Sequence, residues 1–135
     1  MSELILLDTS VLVDHLRTGR HAERMGNLRG LVRNSSVVLA ELWRGATRKA
    51  ERDFLIALEK NAPILTPTTG NWLESGHILA KIREVKGFEA EKLRDLHMDV
   101  LIALTARAHG AKLITSNRAD FELIREVREF ELEVW

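Results

Sequence analysis

Cysteine is absent from all 135 residues, which removes disulfides, thiol nucleophiles and thiolate metal sites together and is compatible with a reducing compartment. Proline occurs only as Pro63 and Pro67. Nothing rich in proline or glycine divides the chain, and neither internal repeats nor low-complexity blocks occur. No apolar stretch reaches the roughly 18 residues that a membrane helix needs. Net charge is missing as well, with Lys and Arg totalling 20 against 20 for Asp and Glu. No overall basic excess announces a nucleic-acid or membrane partner, so a charged partner must meet a local patch. Met1, Ser2 and Glu3 run straight into Leu4 to Leu7 without a basic leader or small-residue cleavage site, so the expected address is the cytoplasm, with no membrane association.

What remains is 45% hydrophobic and 30% charged, the balance of a soluble globular protein. Two separate cores would each be too small, so residues 1–135 are read as a single domain. Leu4 to Leu7 form a short apolar run, suited to a buried parallel strand, that stops at Asp8. Thr9 and Ser10 then stand as caps before Val11, Leu12, His15 and Leu16 at helical spacing. Ala22, Met25, Leu28, Leu31 and Val32 continue at helical spacing, punctuated by Gly26 and Gly30, and predict a second helix. Ser35 and Ser36 open a helix with Val38, Leu39 and Leu42 on one face. Ala50 to Leu58 form another helix, followed by a second short buried strand at Ile64 and Leu65. A long helix runs from Thr68 to Gly87. The charged stretch Glu89 to Asp95 leads into a helix from Met98 to His109, then a strand at Leu113 and Ile114. Phe130, Leu132 and Val134 alternate with glutamates, as in a half-exposed edge strand. Short strands alternating with helices predict an α/β fold, a short, mostly parallel central sheet flanked by helices.

In such a sheet, ligands gather beyond the carboxyl ends of the strands, where Asp8 stands. Glu41 interrupts the apolar run Val37 to Trp43, and Asp99 opens the run Val100 to Leu104. Taken singly, each has a plainer reading: a helix cap, a carboxylate paired with a local arginine, an acid at a helix N-terminus. Taken together, three acids in one cleft would raise one another's pKa unless a cation joined them. All-oxygen ligation without cysteine points to magnesium or manganese, and so to phosphoryl chemistry.

Four segments carry a resemblance. They are Leu6 to Asp14 with Asp8, Thr9 and Ser10; Ser36 to Ala46 with Glu41, Trp43 and Arg44; Asp99 to Ala106; and Thr115, Ser116, Asn117 to Asp120 and Phe121. In this order and spacing the chain resembles the PIN-domain ribonucleases, and within them the VapC toxins of toxin and antitoxin pairs. The resemblance implies a PIN-like three-layer sandwich. It also implies an acidic triad of Asp8, Glu41 and Asp99 holding Mg2+ or Mn2+, with metal-activated water hydrolysing an RNA phosphodiester to leave 5′-phosphate and 3′-hydroxyl ends. One ion would be bound before substrate, with a second arriving alongside it. Some relatives carry an acid where Asn117 stands, and others rely on the position of Asp120, so which of the two completes the site is open. Ser10 matches a hydroxyl position near the metal, although capping also explains it. A cognate VapB-type antitoxin and a homodimer are further implied partners. The alternative is a noncatalytic PIN-type module that binds RNA or protein without cutting.

Between Arg17 and Arg52, nine basic residues face Glu23, Glu41 and Glu51, a local excess able to track a phosphate backbone or simply to solvate helices. Arg44 and Arg48 are favoured for RNA contact because they are expected to follow Glu41 on the same helix. The five histidines show no paired metal-ligand spacing, and only His97, two residues before Asp99, invites a test. Trp43 and Trp72 lie on apolar helix faces and are read as core or interface.

Overall fold

The computed structural model describes residues 3–135. Five strands, β1 (Leu4–Leu7), β2 (Leu31–Ser35), β3 (Ile64–Leu65), β4 (Lys112–Thr115) and β5 (Leu132–Val134), form one sheet in the order β3-β2-β1-β4-β5. Every pairing is parallel, so the expected mostly parallel sheet is wholly parallel; Leu6 lies between Arg33 and Leu113 in register. Seven helices flank it in the expected α/β sandwich: α1 (Thr9–Thr18), α2 (Ala22–Gly26), α3 (Ser36–Gly45), α4 (Lys49–Asn61), α5 (Thr69–Lys86), α6 (Ala90–Ala108) and α7 (Arg118–Val127). Among the described residues, no helix is long and apolar enough to cross a membrane.

The connections from β1 run outward through β2 to β3, and the chain then crosses back to place β4 on the other side of β1. A crevice therefore opens between the carboxyl ends of β1 and β4, where such folds take their ligands. Ile5 and Leu6 of β1 and Leu113 and Ile114 of β4 are almost completely buried, as central parallel strands covered on both faces must be. Behind them Val100 to Ala106 of α6 are buried on every side, which makes the second half of that helix part of the core rather than a surface element.

Three sequence expectations are corrected here. The strand expected to be buried at Ile64 and Leu65 is the edge strand β3, with Ile64 exposed, because it is paired on one side only. The helix predicted across Ala22 to Val32 ends at Gly26, and Leu31–Ser35 is strand β2. The apolar spacing continues by coincidence through a turn at Gly30, and the ladder bond from the Leu31 N–H to the Glu3 carbonyl (2.7 Å) wins over local periodicity. The helix expected from Met98 begins eight residues earlier, at Ala90. Its first half interleaves charges with Leu93 and Leu96, which pack on the core, so only the unbroken apolar run after Asp99 was readable. The final helix, α7, is capped by Asn117, whose side chain accepts the Asp120 N–H.

Gly30 has φ 151°, and a Cβ there would stand 2.6 Å from the Glu3 carbonyl oxygen and 2.9 Å from Ile5 Cδ1. That oxygen is part of the β1–β2 ladder and cannot yield without loss of the register. Gly30→Ala is expected to cost about 2–3 kcal/mol, lowering Tm by roughly 5–15 °C. Thermal unfolding by circular dichroism checks this, and a Tm within a degree of the parent contradicts it.

Candidate active site

Asp8 leaves β1 at the crevice and is the N-cap of α1 by position, but its side chain makes no capping bond. Its Oδ2 instead accepts the hydroxyls of Ser10 (2.7 Å) and Thr115 (2.8 Å). At 3% exposure the carboxyl has its pKa raised by burial, against which the two hydroxyls and the backbone N–H groups of Thr9 and Ser10 pull. Ser10 also accepts the Ser116 N–H (3.0 Å), and Thr115 Oγ1 accepts the Asn117 N–H (2.9 Å). The loop after β4 is thus tied to the loop after β1 through two hydroxyls that grip one carboxylate. The expected caps, Thr9 and Ser10, serve site carboxylates instead of the helix end.

Glu41, in the middle of α3, accepts the Thr9 hydroxyl at Oε1 (2.8 Å), and Arg44 Nη2 stands 4.0 Å from Oε2. Burial raises its pKa first and the Asp8 charge raises it further; the Thr9 hydrogen bond and Arg44 oppose them. Asp99 lies in the middle of α6, so it is not an acid at a helix N-terminus. Its pKa is pushed up to about 8, by burial first and then by the charges of Asp8, Glu41 and Asp120, with Lys92 opposing. Four carboxylates therefore share one field at the crevice. Asp120, in the first turn of α7, is held at Oδ1 by Lys92 Nζ (3.1 Å) and at Oδ2 by Asn117 Nδ2 (3.1 Å). Asn117 is occupied twice, as helix cap and as donor to Asp120.

The acids share a field without sharing a ligand point. Among the described residues, no three Asp, Glu or His side chains form a closed metal-binding set. In kind the donors fit a hard divalent cation, being desolvated, mutually repelling oxygens without sulfur or imidazole. Closing them on an ion requires side-chain rotation.

The remaining expectations divide. Arg44 is 73% exposed at the rim beside Glu41, whereas Arg48 pairs with Glu51 (3.7 Å) and is directed to α4. Of the other basic residues, Arg24 lies over the Trp135 ring and lines a groove with Arg29 beside the amino ends of β1 and β4, away from Asp8. His97 binds Ser75 (3.0 Å) on α5, since two residues along a helix turn it about 200° from Asp99. Trp43 is partly buried, whereas Trp72 is 51% exposed, which removes the core half of its core-or-interface expectation and leaves the interface. Sequence reasoning missed Lys92, although seven residues place it two turns before Asp99 on the same helix face.

A family model described as the PIN domain matches residues 5–127. Among solved structures, the chain is similar to VapBC2 from Rickettsia felis bound to a promoter DNA fragment, at 22% identity and TM-score 0.69 over 98% of each chain. It is similar to DNA-bound VapBC from Salmonella typhimurium, at 22% identity and TM-score 0.66 over 100% of this chain and 99% of that one. VapBC-5 from Mycobacterium tuberculosis matches at 22% identity and TM-score 0.62 over 97% and 96%. At these identities the likeness is one of fold. No curated protein matches the chain.

The Asp99 shift carries a pH dependence. A carboxyl whose folded pKa lies above its ordinary value of 3.8, at about 8, stabilises the fold below the lower value, and that stability is lost as pH rises through the upper one. Asp99→Asn is therefore expected to raise the metal-free Tm at pH 8 by roughly 3–10 °C while changing it little at pH 4. Melting curves across that range check it; an equal shift at both pH values contradicts the coupling.

Proposed function

The chain belongs to the PIN-domain family, and from that premise we propose that it is a metal-dependent endoribonuclease of the VapC toxin kind, restrained by a VapB-type antitoxin. The observation that carries this reading is the meeting of Asp8, Glu41, Asp99 and Asp120 in one field at the sheet's switch point, where burial and the neighbouring carboxylates push the Asp99 pKa up to about 8. Asp8, Glu41 and Asp99 would hold Mg2+ or Mn2+, and Ser10, Thr115 and Thr9 fix the carboxylates they touch. Such an ion lowers the pKa of water and offsets the charge that builds on a phosphate under attack. No protein nucleophile is required. Arg44, exposed at the rim, is placed to take a backbone phosphate of RNA, whereas Arg48, expected on the helix of Glu41, instead stands at the N-cap of α4 and pairs with Glu51. Solved structures of the same fold are toxin–antitoxin complexes, two of them on DNA, which supports an antitoxin partner here.

The rival reading, a noncatalytic module that grips RNA or a protein, draws on the open arrangement of the carboxylates. Cleavage separates the two. With Mg2+ or Mn2+ the protein is expected to cut RNA into 5′-phosphate ends, chelator to abolish the activity, and Asp8→Asn or Asp99→Asn to lower kcat/KM by at least about 100-fold. RNA bound but uncut under every metal condition would favour the module. Sequencing RNA ends after brief induction in cells, against an Asp8→Asn control, identifies the target.

For the homodimer, the supporting surface is the apolar side of α5, where Trp72 is half exposed beside Gly76 and Leu79. Trp72→Glu is expected to shift the protein from dimer to monomer in light scattering; a dimer of unchanged affinity would place the interface elsewhere.

A further inference from the structure

We propose that Lys92 takes the place of a second divalent cation in this site, neutralising Asp120 so that Asp8, Glu41 and Asp99 serve a single ion. The inference rests on the metal-dependent reading above. Both oxygens of Asp120 are already committed, Oδ1 to Lys92 Nζ at 3.1 Å and Oδ2 to Asn117 Nδ2 at 3.1 Å. A divalent ion at Asp120 would have to stand beside the Lys92 ammonium or displace it. Position 117 carries a neutral amide that donates to Asp120 and adds no charge.

Lys92 is built into this arrangement by α6. Seven residues separate it from Asp99, about two helical turns, so both side chains leave the same face of one rigid element. Its charge acts on Asp99 as well as pairing with Asp120. Arg44 beside Glu41, Lys92 and one divalent ion together bring the four carboxylates to neutrality. A second ion would leave the site with surplus positive charge held by no further ligand. The side chain is 41% exposed, so its removal leaves no cavity and the fold survives the substitution.

Manganese titration of the full-length protein, followed by electron paramagnetic resonance and native mass spectrometry, tests this directly. One Mn2+ is expected for the parent and for Lys92→Arg. Lys92→Gln is expected to bind the first Mn2+ about tenfold more tightly, as removal of a neighbouring cation requires, and to take up a second. Adding Asp120→Asn to Lys92→Gln should restore a single ion. Two ions in the parent, or Lys92→Gln binding Mn2+ with the parent's stoichiometry, overturns the assignment. One Mn2+ in the parent and two in Lys92→Gln, with no RNA cleaved by either protein, would sink the nuclease reading and leave Lys92 in its role. A parent that binds no Mn2+ at all sinks both.

Discussion

A carboxylate stripped of water must have its charge compensated by something else, and strand β1 imposes that condition on Asp8. Leu4 to Leu7 are apolar because the strand is central and covered on both faces, and the first polar residue after them emerges into the crevice already 3% exposed. Two hydroxyls meet one oxygen of Asp8, and no lysine or arginine is paired with it. Glu41 and Asp99 are then brought toward the same place by α3 and α6, and each raises the cost of ionising the others. The loop after β4 is held in place by the hydroxyls that grip Asp8. The site and the switch point of the sheet are therefore one construction, strained electrostatically in a sense that a divalent cation relieves.

Much of this was legible in the sequence because it follows from burial patterns. Leu4 to Leu7, Leu113 and Ile114, and the run after Asp99 announce central elements by lacking charge, and the acids at their edges stand out for the same reason. Strand β2 was not legible. Its residues Leu31 to Ser35 include Arg33, Asn34 and Ser35, and Asn34 is buried only because its amide reaches the Leu58 carbonyl (2.6 Å) while its N–H meets Pro63. Those partners are long-range and leave no local pattern. The first half of α6 was hidden by its charges, and with it Lys92. Trp72 reads as core or interface without a choice between them, because a helix face that is apolar in sequence carries no sign of whether anything covers it. The hydroxyls of Thr9 and Ser10 were legible as polar groups at a helix start, but Thr9 serves Glu41 on another helix, and Ser10, which donates to nearby Asp8, also accepts from the distant Ser116.

The neutral net charge conceals a division of labour. Cations of the first half are spread over several faces, some in local pairs such as Lys49 with Asp53 (2.8 Å) and some beside the amino ends of β1 and β4. Only Arg44 and Lys92 are paired with acids at the crevice. A basic count along the sequence therefore overstates the surface available to a phosphate backbone, and the rim of the site, rather than the total, decides what can be bound.

The central claim is that these carboxylates are assembled and kept partly protonated until a cation arrives. Calorimetric titration with Mn2+ in buffers of different ionisation enthalpy measures it most directly, because it counts the protons displaced per ion bound. Close to one proton released at pH 7, falling toward none at pH 9, is the expected result, given an Asp99 pKa of about 8. Binding without proton release at pH 7, or release that does not change with pH, would contradict it.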